Sequence, residues 1–131
     1  MTRHPFEYAV LRVVPRVDRG ETINAGVVVY SQSAQFLGVR VDLDADRLRG
    51  LDPGADVAAI EAALHAAADA GNAAAANTRD EDLGRRFRWL TAPRSTVVQP
   101  GPVHTGLSAA PDAEPDRLLR LLVLPVDRVR D

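Results

Sequence analysis

Over the first forty residues, apolar and polar positions alternate with the period of a strand. β-branched and aromatic residues crowd three segments, 8–14, 23–30 and 36–41, and turn-forming residues separate them. The short polar connections predict an antiparallel meander. In the first segment, alternation puts Tyr8, Val10, Arg12 and Val14 on one face. Ala9, Leu11 and Val13 fall on the other, which reads as core. Asn24 and Gly26 interrupt the second segment. With period two they share a face, and a glycine inside a strand marks a bulge or a close backbone approach. The link over residues 15–22 is too long for a tight hairpin and carries several charges, as a flap over a sheet edge does.

Past Val41 the period lengthens to that of a helix. Asp44 is placed to cap a short helix that ends at Leu51, before Asp52-Pro53-Gly54. A second helix starts near Asp56, with Val57, Ile60 and Leu64 at helical spacing and an alanine-rich continuation to Ala70. Gly71-Asn72 is expected to loosen it. Thr78 and Glu81 form a capping box for a third helix, whose apolar stripe is Leu83, Phe87 and Leu90. A short strand over Val97-Val98-Gln99 then joins the sheet. Pro100-Gly101-Pro102 stops that strand and doubles the chain back toward a loop at His104-Thr105-Gly106. Asp112 or Glu114 caps a last helix, with Pro115 in its first turn and Pro125 after it. Its apolar surface wraps more than one side, which places Leu118, Leu121 and Leu122 in a core or a permanent interface.

These elements make an α+β fold: a small antiparallel sheet led by a three-stranded meander, with helices packed on one face. A single domain is expected over residues 1–131, strand-rich over 6–42, helical over 44–91, strand and loop over 94–108, and closed by a helix over 112–124. That length suffices to bury one core without metal or disulfide support.

Composition changes this picture little. The chain has no cysteine, which excludes disulfides, a thiol nucleophile and cysteine-based metal sites. All 16 basic residues are arginine. With Ala, Val, Asp, Gly and Pro also abundant, this is the codon bias of a GC-rich genome rather than an anion-binding signature. A net charge of −2 gives no general pull on nucleic acid. The first residues lack the apolar centre of a signal peptide, and no apolar run reaches membrane-spanning length, so a cytoplasmic protein is expected.

Candidate chemistry is sparse. Arg85, Arg86 and Arg88 beside Trp89 have the composition of a nucleic-acid face. Asp80, Glu81 and Asp82 lie one turn away, and an ion-paired surface is the expected outcome. His4, His65 and His104 keep no metal spacing, so neither a metal nor a cofactor is expected. Binding groups concentrate instead in residues 92–107, where Arg94, Ser95, Gln99, His104 and Thr105 sit among prolines and glycines. With the chain doubled back, these residues ring one pocket, and Arg12 and Asn24 approach it from the sheet. Such a pocket suits a phosphate or carboxylate, with Arg94 as its bidentate anchor and His104 as its pH-dependent one. No catalytic set is complete. Ser95, His104 and Asp112 lack the context of a nucleophile elbow, and no glycine-rich phosphate loop is present.

Several blocks carry a resemblance. Residues 8–15 (Tyr-Ala-Val-Leu-Arg-Val-Val-Pro), Arg19-Gly20-Glu21 and Asn24-Ala25-Gly26-Val27-Val28 are the first of these. Phe36-Leu37-Gly38, Pro93-Arg94-Ser95, residues 103–107 and Asp116-Arg117-Leu118-Leu119 follow in the same order. Together they resemble the bacterial family known as domain of unknown function 3037. The resemblance implies no catalytic residues. It implies a protein partner, since such proteins tend to be encoded beside HipA-like serine kinases. The functional expectation is therefore a small cytoplasmic accessory or binding module that partners such a kinase and takes a small anionic ligand. The alternative is a hydrolase or transferase acting on a phosphorylated substrate through the Arg94–His104 loop.

Overall fold

The computed structural model describes residues 2–77 and 80–126. One antiparallel sheet holds β1 (His4–Val13), β2 (Ile23–Ser31), β3 (Phe36–Val41), β4 (Val98–Pro100) and β5 (His104–Ser108). The helices are α1 (Ala45–Leu51), α2 (Val57–Asn77), α3 (Asp80–Leu90) and α4 (Glu114–Leu122). The meander runs β3-β2-β1, and β4 and β5 both lie along the far side of β1. This is the expected α+β architecture, with an antiparallel sheet at its centre.

Side-chain alternation sorts the core into two layers. Leu11, Val28, Tyr30, Leu37 and Val39 pack against Ala68 of α2 and Leu83, Phe87 and Leu90 of α3. Val13, Ile23 and Ala25 extend that layer under Leu48 of α1 and Ile60 and Leu64 of α2. The intervening positions, Phe6, Val27 and Val29, face Leu118 of α4 and Val123 just past its end. Helices therefore cover both faces, which corrects the expectation of helices on one face. The reason lies in β2, which is apolar and buried at every position from Ala25 to Tyr30. A strand of that kind needs cover on both sides, and each buried valine is worth about 1.5–3 kcal/mol.

The terminal helix is only partly buried. Leu118 is 4 % exposed, but Leu121 and Leu122 are 56 % and 37 % exposed, so those two belong to the surface of the chain and not to its core. Neither Asp112 nor Glu114 caps the helix, because residues Pro111–Ala113 form a 3-10 turn leading into it. Glu114 is buried instead and accepts from Arg117 at 2.6 Å, and that hydrogen bond raises the guanidinium's pKa above its ordinary value.

Asp44 and Asp56 do cap their helices, accepting from the amides of Arg47 and Ala59 at 3.1 and 3.0 Å. Helix α2 runs unbroken through Gly71-Asn72, where local propensity predicts a weak point. Tertiary contact explains this. A Cβ on Gly71 would stand 2.4 Å from Val39 Cγ2, so only glycine lets α2 approach β3 this closely. Asn72 then accepts from the Val39 amide at 3.0 Å and donates to the Val39 carbonyl at 3.2 Å. A side-chain amide thus occupies the outer edge of β3 as a neighbouring strand would. The capping box at Thr78 and Glu81 lies outside the described residues.

Two bulges set the rest of the sheet. Leu11 pairs with Gly26 and Arg12 with Asn24, leaving Ala25 as an extra residue on β2. This bulge puts Asn24 and Gly26 on opposite faces, where simple alternation gives them the same one. Pro100-Gly101-Pro102 does not reverse the chain. From Pro100 to His104 is four steps, set against three from Leu11 to Tyr8, so β4 and β5 are one edge strand broken by a one-residue bulge. The expected loop at residues 104–106 is therefore strand.

Candidate functional site

The expected site residues divide between the two faces of the sheet. Arg12 stands in a row with its cross-strand neighbours Asn24 and Gln99, on the face that carries α4. Its guanidinium lies across the bulge, where a Cβ on Gly101 would meet Arg12 Cζ at 3.0 Å. Asn24 donates from Nδ2 to the Leu122 carbonyl at 2.9 Å, which ties the end of α4 to the sheet. Gln99 donates to the Thr96 carbonyl at 2.9 Å and closes its own loop. His104 is on the same face, an exposed ring packed on Tyr8 with centroids 5.2 Å apart.

Arg94 is on the other face. It lines a groove of about 280 Å³ with Leu11, Ala63, Ala67 and Trp89. Its guanidinium donates to the carbonyls of Ala92 and Trp89, so it closes the C-terminal end of α3. Thr105 is opposite Glu7 and borders a separate cavity with Tyr30 and Gln32. Ser95 is exposed in the segment that leads to β4. The sheet thus separates Arg94 from His104, and the two do not share a pocket. A phosphate site built on both is not assembled. Among the described residues, no cluster of three His, Asp or Glu side chains gathers to hold a metal.

What the fold does assemble is a surface around Trp89, the sole tryptophan, which is 52 % exposed. Helix α3 turns Leu83, Phe87 and Leu90 inward, and this leaves Trp89 on the outer side. Arg86, three residues earlier and so on the same side, places its guanidinium carbon 5.2 Å from the ring centroid. Arg94 places its own 5.0 Å away. Both distances are within cation–π range. Trp89 and Arg86 also line a second groove, of about 390 Å³, with Ala74, Asp82 and Arg85. Trp89 is therefore a ridge between two grooves, each with an arginine on it.

The ion pairing expected between these arginines and Asp82 is not made. Among the described residues, Arg85, Arg86 and Arg88 form no salt bridge, with Asp82 or with any other acid. The side chains of Asp80 and Glu81 lie outside the described residues. In the sequence Trp89 stands out only as the neighbour of the arginines, for which Asp80, Glu81 and Asp82 one turn away offer a simple balance. The signal was there in the spacing: a lone tryptophan on the polar side of an amphipathic helix, in phase with an arginine.

Fold and surface together define a small α+β domain that carries a cationic-aromatic surface around Trp89. The chain matches the family model described as "Protein of unknown function (DUF3037)" over residues 8–123, and it belongs to that family. No curated protein and no solved structure matches it. Among the described residues, no helix is long and apolar enough to cross a membrane.

Proposed function

We propose that this protein is a non-catalytic binding module of the bacterial cytoplasm that docks an acidic segment of a partner protein on the Trp89 ridge. The observation that carries the reading is the half-exposed Trp89 with Arg86 and Arg94 at 5.2 and 5.0 Å. Tryptophan and arginine are enriched at the residues that carry most of the energy of protein interfaces: the indole offers a large rigid apolar surface, and the guanidinium offers a planar fork of donors. An acidic segment completes this surface: its carboxylates pair with Arg85 and Arg86, and an apolar neighbour covers the indole. Nucleic acid fits less well, since the chain is net negative and Asp82 stands inside the larger groove.

The family resemblance supplies the partner to try first, a HipA-like serine kinase. Co-expression of the protein with such a kinase from the same genome tests this. Wild type should retain the kinase through purification. Trp89→Ala should lose it while melting within about 1 kcal/mol of wild type, since the ring is half in solvent. Retention by both forms would remove the ridge from the interface, and retention by neither would remove the kinase.

A further inference from the structure

We propose that two copies of this chain pair through β5, joining their sheets about a two-fold axis at Gly106. The two edges of the sheet are treated differently. On β3 the Val39 amide and carbonyl are taken by Asn72. Beyond β5 there is no strand among the described residues.

The pleat shows which groups are open. On β1, the Val10 carbonyl accepts from Gly101 and the Val14 amide donates to Val97, so even-numbered residues turn their backbone toward β4 and β5. Pro5, an odd position, turns the other way, and its carbonyl accepts from Ser31 Oγ. The ladder to β5 is therefore made by the pairs His4–Ser108, Phe6–Gly106 and Tyr8–His104. Thr105 and Leu107 direct their amides and carbonyls outward, where no hydrogen bond meets them among the described residues.

Donors and acceptors at this spacing are met by another extended strand, and a second β5 meets all of them. In antiparallel register about Gly106, Thr105 faces Leu107 of the other copy and Leu107 faces its Thr105. Each of these is a mutually bonded pair. Gly106 faces Gly106 at the unbonded position, where strands come closest. The residues from His104 to Ser108 carry no formal charge with His104 neutral, so like charges do not meet across the axis although each chain is net negative. The pairing also draws Leu107, 63 % exposed, against its neighbour. A five-residue edge is smaller than a standard interface, so the dimer is reversible and concentration-dependent.

Sedimentation of the wild-type chain over a hundredfold concentration range, together with amide exchange, tests the proposal. The expected result is a monomer–dimer equilibrium in which the Thr105 and Leu107 amides become slow only in the dimer. Thr105→Pro removes one outward N–H and leaves the ladder to β1 intact, so it should give a folded monomer. A wild-type chain that stays monomeric up to roughly 1 mM overturns the proposal. So does a dimer in which those two amides still exchange fast, a reading that does not depend on how the proline variant folds. A Thr105→Pro chain that still dimerises overturns it as well.

Discussion

Replacing Asn72 by alanine tests whether a side-chain amide closes the β3 edge. The change removes one bond accepted from the Val39 amide at 3.0 Å and one donated to its carbonyl at 3.2 Å. The carbonyl keeps a second donor, Arg40 Nη1 at 3.0 Å, so the amide is the group left without a partner. Val39 is 1 % exposed, and an unmet buried donor costs about 1–3 kcal/mol. Alanine recovers about 0.5 kcal/mol through its better helix propensity. The net loss is about 0.5–2.5 kcal/mol, equivalent to a fall in Tm of about 2–9 °C for a chain of this size. Thermal unfolding followed by circular dichroism measures the loss, and hydrogen exchange at the Val39 amide locates it. Asp69→Ala, on the exposed side of α2, is the control and should hold or raise Tm. An Asn72→Ala protein that melts with wild type and keeps a slow Val39 amide would refute the clamp.

Gly71→Ala should also destabilise, by about 1–3 kcal/mol, since its methyl would stand 2.4 Å from Val39 Cγ2 and overpacking outweighs the gain in helix propensity. Urea melts read the difference, and a stabilised variant would mean that α2 can move off β3 freely. Leu118→Ala should cost about 2–5 kcal/mol, whereas Leu121→Ala, at a position 56 % exposed, should stay within about 0.5 kcal/mol of wild type. In an acid titration followed by NMR, Asp18 should titrate below the ordinary aspartate range because Arg16 donates to its carboxylate. A carboxyl depressed in this way contributes stability above its unfolded pKa and loses it as pH falls through the folded one. Arg16→Gln should return the midpoint to the ordinary value.

The three meander strands are legible in the sequence because β-branched runs bounded by turn residues need no distant partner to be recognised. The strand β5 is not. His104-Thr105-Gly106-Leu107-Ser108 has weak strand propensity, and its pairing with β1 spans most of the chain. The apolar stripe of α4 shows that it packs, but not on which face of the sheet. That choice follows from β2 being apolar on both sides. At Gly71-Asn72 local propensity points to a break, and contact with Val39 overrides it. The candidate site was legible only in part. Arg12, Asn24 and Gln99 do line up, but the bulge at residues 101–103 keeps the strand running forward, so Arg94 and His104 end on opposite faces. Trp89 is less legible as a site, because the acids one turn away offer a local balance for Arg85 and Arg86.

The emission of Trp89 offers the most direct test of the proposed docking at the ridge, because this is the only tryptophan in the chain. The probe is a synthetic peptide of alternating glutamate and leucine, titrated at low salt, with its lysine–leucine counterpart as control. Inorganic phosphate and a single-stranded RNA oligonucleotide serve as competing anions. A saturable change in emission is expected with the acidic peptide. Arg86→Gln should weaken it several-fold, since that guanidinium stands over the ring, and salt should suppress it. No change with the acidic peptide, or tighter binding of RNA than of the peptide, would mean that the ridge does not dock an acidic segment.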